Sequence, residues 1–246
     1  MYKLIIMKSV YIFFIFVFFL IFILNYIWLK LDSMPKKLNK PYYGVNEVEP
    51  TLHKIHKLRT DILYEMIFLE PNKWNDWPEK KLYDDKNGSW KIYPFFAFGI
   101  WVKSNCESCP TISNFLKQIP NLKLATLSKL GPNTKLVPHR GWGSHSNHVI
   151  RCHYGVNVPQ NCYVVVDDIK KNHNNDEWII FDDSKNHWAG NDSDSDRIVL
   201  ILDIERPPNI EIGTSDVTDS KELLEIVEYF RKNNIIDETN QTDIDK

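Results

Sequence analysis

His139, His187 and Arg197 follow one another in an order and at separations that suit chemistry at a metal. The first lies in Val137-Pro138-His139-Arg140-Gly141-Trp142, and the second ends Ile180-Phe181-Asp182-Asp183-Ser184-Lys185-Asn186-His187. Arg197 comes ten residues later, inside an apolar run. Imidazole is a good ligand for divalent iron, and a centre with open coordination positions is what oxygen chemistry needs. The arginine offers a planar fork that grips a carboxylate through two parallel hydrogen bonds. Together the three suit an Fe(II) centre that takes a dicarboxylate co-substrate.

The elements that must position these groups read as strands. His139 sits where a strand over residues 135–139 gives way to a turn, and His187 in the turn just past a strand over 178–181. Arg197 begins an apolar strand over 198–204. An arginine entering such a strand needs an anion, because unpaired buried charge is expensive. Arg151 and His153 flank Cys152 in a strand over 149–158, so period two puts both on one face, toward the same cavity. A lone histidine is more often a satisfied surface or core residue than a ligand. Five such residues converging is a different matter.

Further strands are expected at 122–127 and 162–166, and the aromatic stretch 74–101 reads as packed outer strands rather than a ligand cage. Short strands without intervening helices indicate a sandwich or barrel instead of a βαβ array. Leu52, Ile55, Leu58, Ile62, Leu63, Met66 and Ile67 fall close to helical spacing within 46–69. Pro110 opens a second helical pattern with Ile112, Phe115, Leu116 and Ile119 on one face, ended by Pro120. Asp219 and Glu222 resemble a capping box ahead of a helix over 220–232.

The chain has 246 residues, 4 Cys, 8 His and a net charge of −2, which offers no basic surplus for nucleic acid. Residues 10–29 are apolar except for Asn25. As a helix they would span about 30 Å, the hydrocarbon thickness of a bilayer. A cleaved signal peptide competes with a membrane anchor here, but no small-residue cleavage site follows Leu29, and the anchor is preferred. Orientation stays open. Lys30, Lys36, Lys37 and Lys40 after the run outnumber Lys3 and Lys8 before it, which favours a cytoplasmic domain. The sequons at Asn87, Asn191 and Asn240 would serve only a lumenal one. Cys106-Glu107-Ser108-Cys109 is too small for a zinc site and reads as free thiols or a disulfide.

Residues 128–207 resemble the aspartyl/asparaginyl β-hydroxylase family, a branch of the 2-oxoglutarate- and Fe(II)-dependent dioxygenases. The resemblance is carried by Pro138-His139-Arg140-Gly141, Arg151-Cys152-His153-Tyr154-Gly155, Phe181-Asp182-Asp183-Ser184-Lys185-Asn186-His187 and Arg197. It implies a mainly β, double-stranded β-helix (jelly-roll or cupin-like) fold with flanking helices. It implies that His139 and His187 ligate Fe(II), and that Arg197 binds the distal carboxylate of 2-oxoglutarate. Ser128, His153 and Arg151 would help hold that co-substrate, and O2 would be the second. Gly141 takes the slot of the facial-triad carboxylate, which would leave that position to water. The turn 142–148 is long for the family, so His145 and His148 compete with His139 as ligand or line the substrate entrance.

The expected organisation is a short flank at 1–9, a transmembrane helix at 10–29, a linker at 30–45, the dioxygenase domain at 46–206, and a C-terminal helix and acidic tail at 207–246. The expected substrate is a peptidyl Asp or Asn side chain on a protein or peptide partner, with Gly141 as the indication. A lipid acyl chain is the alternative, on the anchor and Arg140. From another class, a non-catalytic β-sandwich whose histidines are incidental or hold Zn2+ also fits the residues.

Overall fold

The structure, a computed structural model, describes residues 2–32, 36–83 and 88–222, with Leu224, Glu225 and Glu228. It divides into two compact units, Met1–Leu38 and Asn39–Lys246. In the first, a single helix, α1, runs Tyr2–Asp32. Its described side chains from Ile15 to Leu29 are nearly all exposed. Among the described residues no helix is long and apolar enough to cross a membrane. Residues 10–29 are therefore helical as expected, but the fold lends no support to a membrane span.

The second unit is built on antiparallel strands. In chain order they are β1 (Tyr42–Tyr43), β2 (Asn75–Asp76), β3 (Trp90–Ala97), β4 (Ile100–Trp101), β5 (Leu122–Leu130) and β6 (Thr134–Lys135). Then come β7 (Val149–Asn157), β8 (Cys162–Val166), β9 (Ile169–Asn172), β10 (Trp178–Phe181), β11 (His187–Asn191) and β12 (Arg197–Glu205). One sheet has the order β1-β10-β7-β12-β5-β3-β2 with β4 paired to β3; the other has the order β6-β11-β8-β9. From β5 onward the chain steps from the large sheet to the small and back repeatedly, which is how a jelly roll closes. The fold is mainly β and jelly-roll-like.

Apolar alternation dictates the pairing. Along β12, Val199, Leu200 and Leu202 are fully or almost fully buried, as are Ala125, Leu127 and Leu130 on its neighbour β5. On the far side of β7 the helical segments bury Leu52, Ile55 and Ile62, which α3 (Arg59–Ile67) helps to supply. Each such side chain stabilises the fold by roughly 1.5–3 kcal/mol. The hairpin β8–β9 turns on Asp167 and Asp168, both left-handed at φ 45° and 63°, the conformation a two-residue turn of this kind requires.

The structure decides several expectations. Residues 46–69 are not one α-helix: α2 (Val45–Val48) is followed by a 3-10 stretch, Pro50–Leu58, before α3. Glu49 accepts the Thr51 N–H, and Pro50 cannot donate, so the chain restarts there. The strand expected over 135–139 stops at Lys135 and continues only as isolated bridges, Leu136 with Tyr83 and His139 with His187, since Pro138 has no N–H for the ladder. Cys106 and Cys109 are free thiols, the latter buried. Asn191 is no glycosylation acceptor: it is fully buried, and its amide donates to the carbonyls of Leu130, Gly131 and Ser195. The sequon residues Asn87 and Asn240, and most of the helix expected over 220–232, lie outside the described residues. Asp219 accepts a hydrogen bond from the Ser144 hydroxyl instead of capping its own helix.

Candidate active site

His139 and His187 exchange backbone hydrogen bonds across the two segments, N–H to carbonyl at 2.9 and 2.8 Å. That pairing sets their rings side by side, with centroids 4.4 Å apart and planes inclined at 54°. In each ring Nδ1 donates to the carbonyl two residues back, Val137 at 2.7 Å and Lys185 at 2.9 Å. A carbonyl can only accept, so the proton sits on Nδ1 and the Nε2 lone pair is free. Burial, with His187 adjacent, pushes His139 down to about 4. Burial also pushes His187 down to about 4. Both imidazoles are thus neutral near pH 7, the state in which they bind a metal.

A carboxylate stands beside them. Asp183 Oδ1 lies 3.3 Å from His187 Nε2 and 2.5 Å from Arg151 Nη1. Its other oxygen occupies the space that a side chain on residue 141 would need: a Cβ there would collide with Asp183 Oδ2. Burial pushes Asp183 up, against the pull of Arg151. Arg151 is itself held from behind by Asp203, which accepts from Nε and Nη2 at 2.8 Å each. His145 Nε2 meets the same Asp203 at 2.8 Å. This row ties β7, β12, the turn after β10 and the short helix Gly143–Ser146 into one charged, buried line. Beneath it Asp182 and Arg206 form a two-pronged pair at 2.9 and 2.7 Å, fixing the loop that delivers Asp183 and His187.

Behind the imidazoles a small chamber of about 30 Å3 opens, lined among others by Ser128, His153, Arg197 and Phe181. Arg197 is 2% exposed, and its Nε and Nη1 have no hydrogen-bond partner among the described residues. Burial pushes its guanidinium down to about 10, still charged at neutral pH. No acidic side chain lines this chamber. A buried cation with idle donors is a site for an anion, and a fork calls for a carboxylate. Ser128 is fully buried opposite, its Oγ accepting from Trp90 Nε1 at 3.0 Å. His153 packs edge-on to Phe181 and approaches His173 at 3.3 Å.

A second, larger cavity of about 200 Å3 leads from His139 and Gly141 to the surface. Trp77 stacks on Trp90 at 4.4 Å and on Trp142 at 6.2 Å, both at 18°, walling one side. Glu79, Lys81 and Arg140 add charge around it. Trp90, His139 and Arg151 line both cavities and so stand between them.

Of the residues singled out from sequence, His139, His187, Ser128, Arg151, His153 and Arg197 all border the inner chamber. Arg151, however, has its fork on Asp203 and its remaining nitrogen on Asp183, so it is not a free anion donor. His145 is turned onto Asp203, and His148 is exposed with its N–H on the His145 carbonyl; neither borders the chamber. Sequence reasoning assigned no role to Asp183, Asp203 or His173. Asp183 was visible inside Phe-Asp-Asp-Ser, but nothing local says which Asp turns inward. His187 is the first residue of β11 rather than part of a turn.

The donor set fits a divalent iron. Two neutral imidazoles lie side by side with their protons on Nδ1, and a carboxylate adjoins His187. Among the described residues no three His, Cys, Asp or Glu are arranged to hold a metal by themselves. Remaining positions would therefore fall to water or to a ligand in the chamber.

Residues 53–207 match the family described as Aspartyl/Asparaginyl beta-hydroxylase. The chain is 32% identical over 121 residues to the ornithine lipid ester-linked acyl 2-hydroxylase of Rhizobium tropici, covering 48% of this chain and 42% of that protein. It is 29% identical over 136 residues to aspartate beta-hydroxylase domain-containing protein 2 of Mus musculus, covering 52% and 39%. The chain thus spans less than half the length of either relative. Among solved structures it is similar to a predicted oxalate decarboxylase of Thermotoga maritima, with TM-score 0.35, 11% identity and coverage of 55% and 93%. That likeness is distant, and the jelly-roll description rests on the strand pairing itself.

Proposed function

The chain belongs to the aspartyl/asparaginyl β-hydroxylase family, and from that premise we propose that it is an Fe(II)- and 2-oxoglutarate-dependent dioxygenase hydroxylating a C–H bond of a peptidyl Asp or Asn side chain. One observation carries the reading: a fully enclosed Arg197 with two idle nitrogens shares a chamber with two neutral imidazoles whose Nε2 atoms are free. His139 and His187 would hold the iron through those atoms, and bound iron would supply the activation of O2. Arg197 would bind the distal carboxylate of 2-oxoglutarate, with the Ser128 hydroxyl beside it. Asp183, clamped by Arg151, would accept a hydrogen bond from a water completing the site. In the overall reaction one oxygen atom enters the substrate C–H bond, the other enters succinate, and CO2 leaves.

The outer cavity would admit the substrate past Arg140, whose guanidinium is exposed and suited to a carboxylate or amide. A second reading, a lipid acyl chain, is favoured by one feature: the wall of Trp77, Trp90 and Trp142, which offers apolar surface to a chain. A membrane association through α1 is a separate proposal, supported by the exposed apolar side chains at residues 15–29. Retention of the full chain in a carbonate-washed membrane fraction would support it, and complete release would sink it.

Purified protein given Fe(II) and 2-oxoglutarate without oxygen should develop a weak visible charge-transfer band. A zinc-binding or non-catalytic sandwich gives none. Admitting O2 with candidate peptides or acyl lipids should yield succinate and one added oxygen atom on the true substrate by mass spectrometry.

A further inference from the structure

His153 meets a second histidine on the side away from the metal. Its Nδ1 lies 3.3 Å from Nε2 of His173, the rings stack at 15°, and both residues are buried, at 6% and 4% exposure. His173 arrives from the turn after β9, where its N–H donates to the Cys162 carbonyl. It does not line the chamber, whereas His153 does. The remaining nitrogens, His153 Nε2 and His173 Nδ1, have no partner among the described residues.

Only one proton fits between the two rings. If His153 Nδ1 donates it, His153 offers a lone pair to a chamber built around the bare charge of Arg197, and His173 is left with a buried N–H and no acceptor. If His173 Nε2 donates it, His153 carries its proton on Nε2 and turns a donor into the chamber. Each arrangement leaves one donor and one acceptor unpaired among the described residues, but the second puts the donor in the chamber, where an anion beside Arg197 can accept from it. The surroundings exclude a charged pair: burial, together with the Arg197 guanidinium, pushes both rings well below the usual histidine range.

We propose that His173 is a positioning residue, whose Nε2–H holds the His153 ring and its tautomer so that His153 Nε2–H is presented to the carboxylate of the bound co-substrate. This rests on the reading of the chamber as a 2-oxoglutarate site.

Long-range 1H–15N correlation spectra of the wild-type protein with Zn(II) and 2-oxoglutarate bound read the tautomer directly. The proton is expected on His153 Nε2; finding it on Nδ1 overturns the proposal whether or not any variant folds. His173→Phe keeps the ring and removes the donor. Its affinity for 2-oxoglutarate, with Mn(II) in place of iron, should fall roughly threefold to tenfold, the worth of one neutral hydrogen bond. His173→Gln, which restores an N–H at that point, should recover most of the loss. Unchanged affinity in a His173→Phe protein that melts like the wild type would also overturn the proposal. If the wild-type protein fails to bind 2-oxoglutarate at all, the chamber's assignment falls and this proposal with it, whereas a bound complex with the proton on His153 Nδ1 overturns the proposal alone.

Discussion

Asp183 fills the space that a side chain on Gly141 would take, so the carboxylate nearest the two imidazoles comes from the loop before β11 and not from the segment after His139. Residue 141 has to be glycine for that loop to close against Ser146 and bring Asp183 in. Arg151 then pins the carboxylate, and Asp203 pins Arg151.

Gly141→Ala places a methyl group against Asp183 Oδ2 and the Ser146 side chain, both of them buried. Overpacking of this kind costs about 1–3 kcal/mol. A lower melting temperature and weaker Mn(II) or Fe(II) uptake are expected together, by calorimetric scanning and titration. A Gly141→Ala protein with wild-type metal affinity would show that Asp183 has no part in the metal site.

His139→Ala and His187→Ala should each abolish metal uptake in a folded protein. His145→Ala should keep it, because that ring is turned onto Asp203 at 2.8 Å and away from the pair. Metal content after gel filtration measures all three. Loss of metal only in the His145 variant would mean that the long turn supplies the ligand.

Arg197→Ala should weaken 2-oxoglutarate much more than iron. Truncating one partner of a buried, hydrogen-bonded charge pair costs about 2–5 kcal/mol, or roughly one and a half to three and a half decades of affinity. Arg197→Lys should recover only part, since a point charge cannot replace the fork. Arg197→Met should leave the ligand-free protein as stable as before or more so, because it removes a buried charge with idle donors. A marked fall in the melting temperature of ligand-free Arg197→Met would instead make the arginine structural.

Asp182→Asn should destabilise the fold by about 3–5 kcal/mol near pH 7, by leaving Arg206 buried without its partner. Burial alone would raise the Asp182 carboxyl, but the Arg206 fork and the Ser184 hydroxyl outweigh it and hold the group below its ordinary value of 3.8. A lowered folded-state value stabilises the fold above the unfolded value, and the gain fades as pH falls through the folded one. The gap in melting temperature between wild type and Asp182→Asn should therefore be full above about pH 5 and shrink below about pH 4. A gap that does not change with pH would deny the pair its linkage.

What was legible in the sequence is what short stretches of chain decide. The apolar runs at 149–158, 162–166, 178–181 and 198–204 became β7, β8, β10 and β12 within a residue at either end, because strand formation there follows from alternation and β-branched content. Pro110 opened the helix Pro110–Leu116, as its missing N–H and fixed φ allow. His139, His187 and Arg197 could be picked out because a metal ligand beside proline, or a cation inside an apolar strand, is costly without a purpose.

Contacts between distant segments were not legible. Arg151 looked like a donor for the co-substrate, yet its partner Asp203 lies on the adjacent strand β12, a register that only the bulge between Ile198 and Val199 and the pairing beyond it decide. His187 read as a turn residue because its strand, His-Trp-Ala-Gly-Asn, carries little apolar alternation; the valines of β8 hold it in place from across the ladder. Nothing near Gly141 announces Asp183, and nothing near His153 announces His173. Those relationships arise when the two sheets close and bring segments far apart in sequence against one another. Residue type and order establish which groups are available for chemistry, and the closing of the sheets determines which of them are left unpaired.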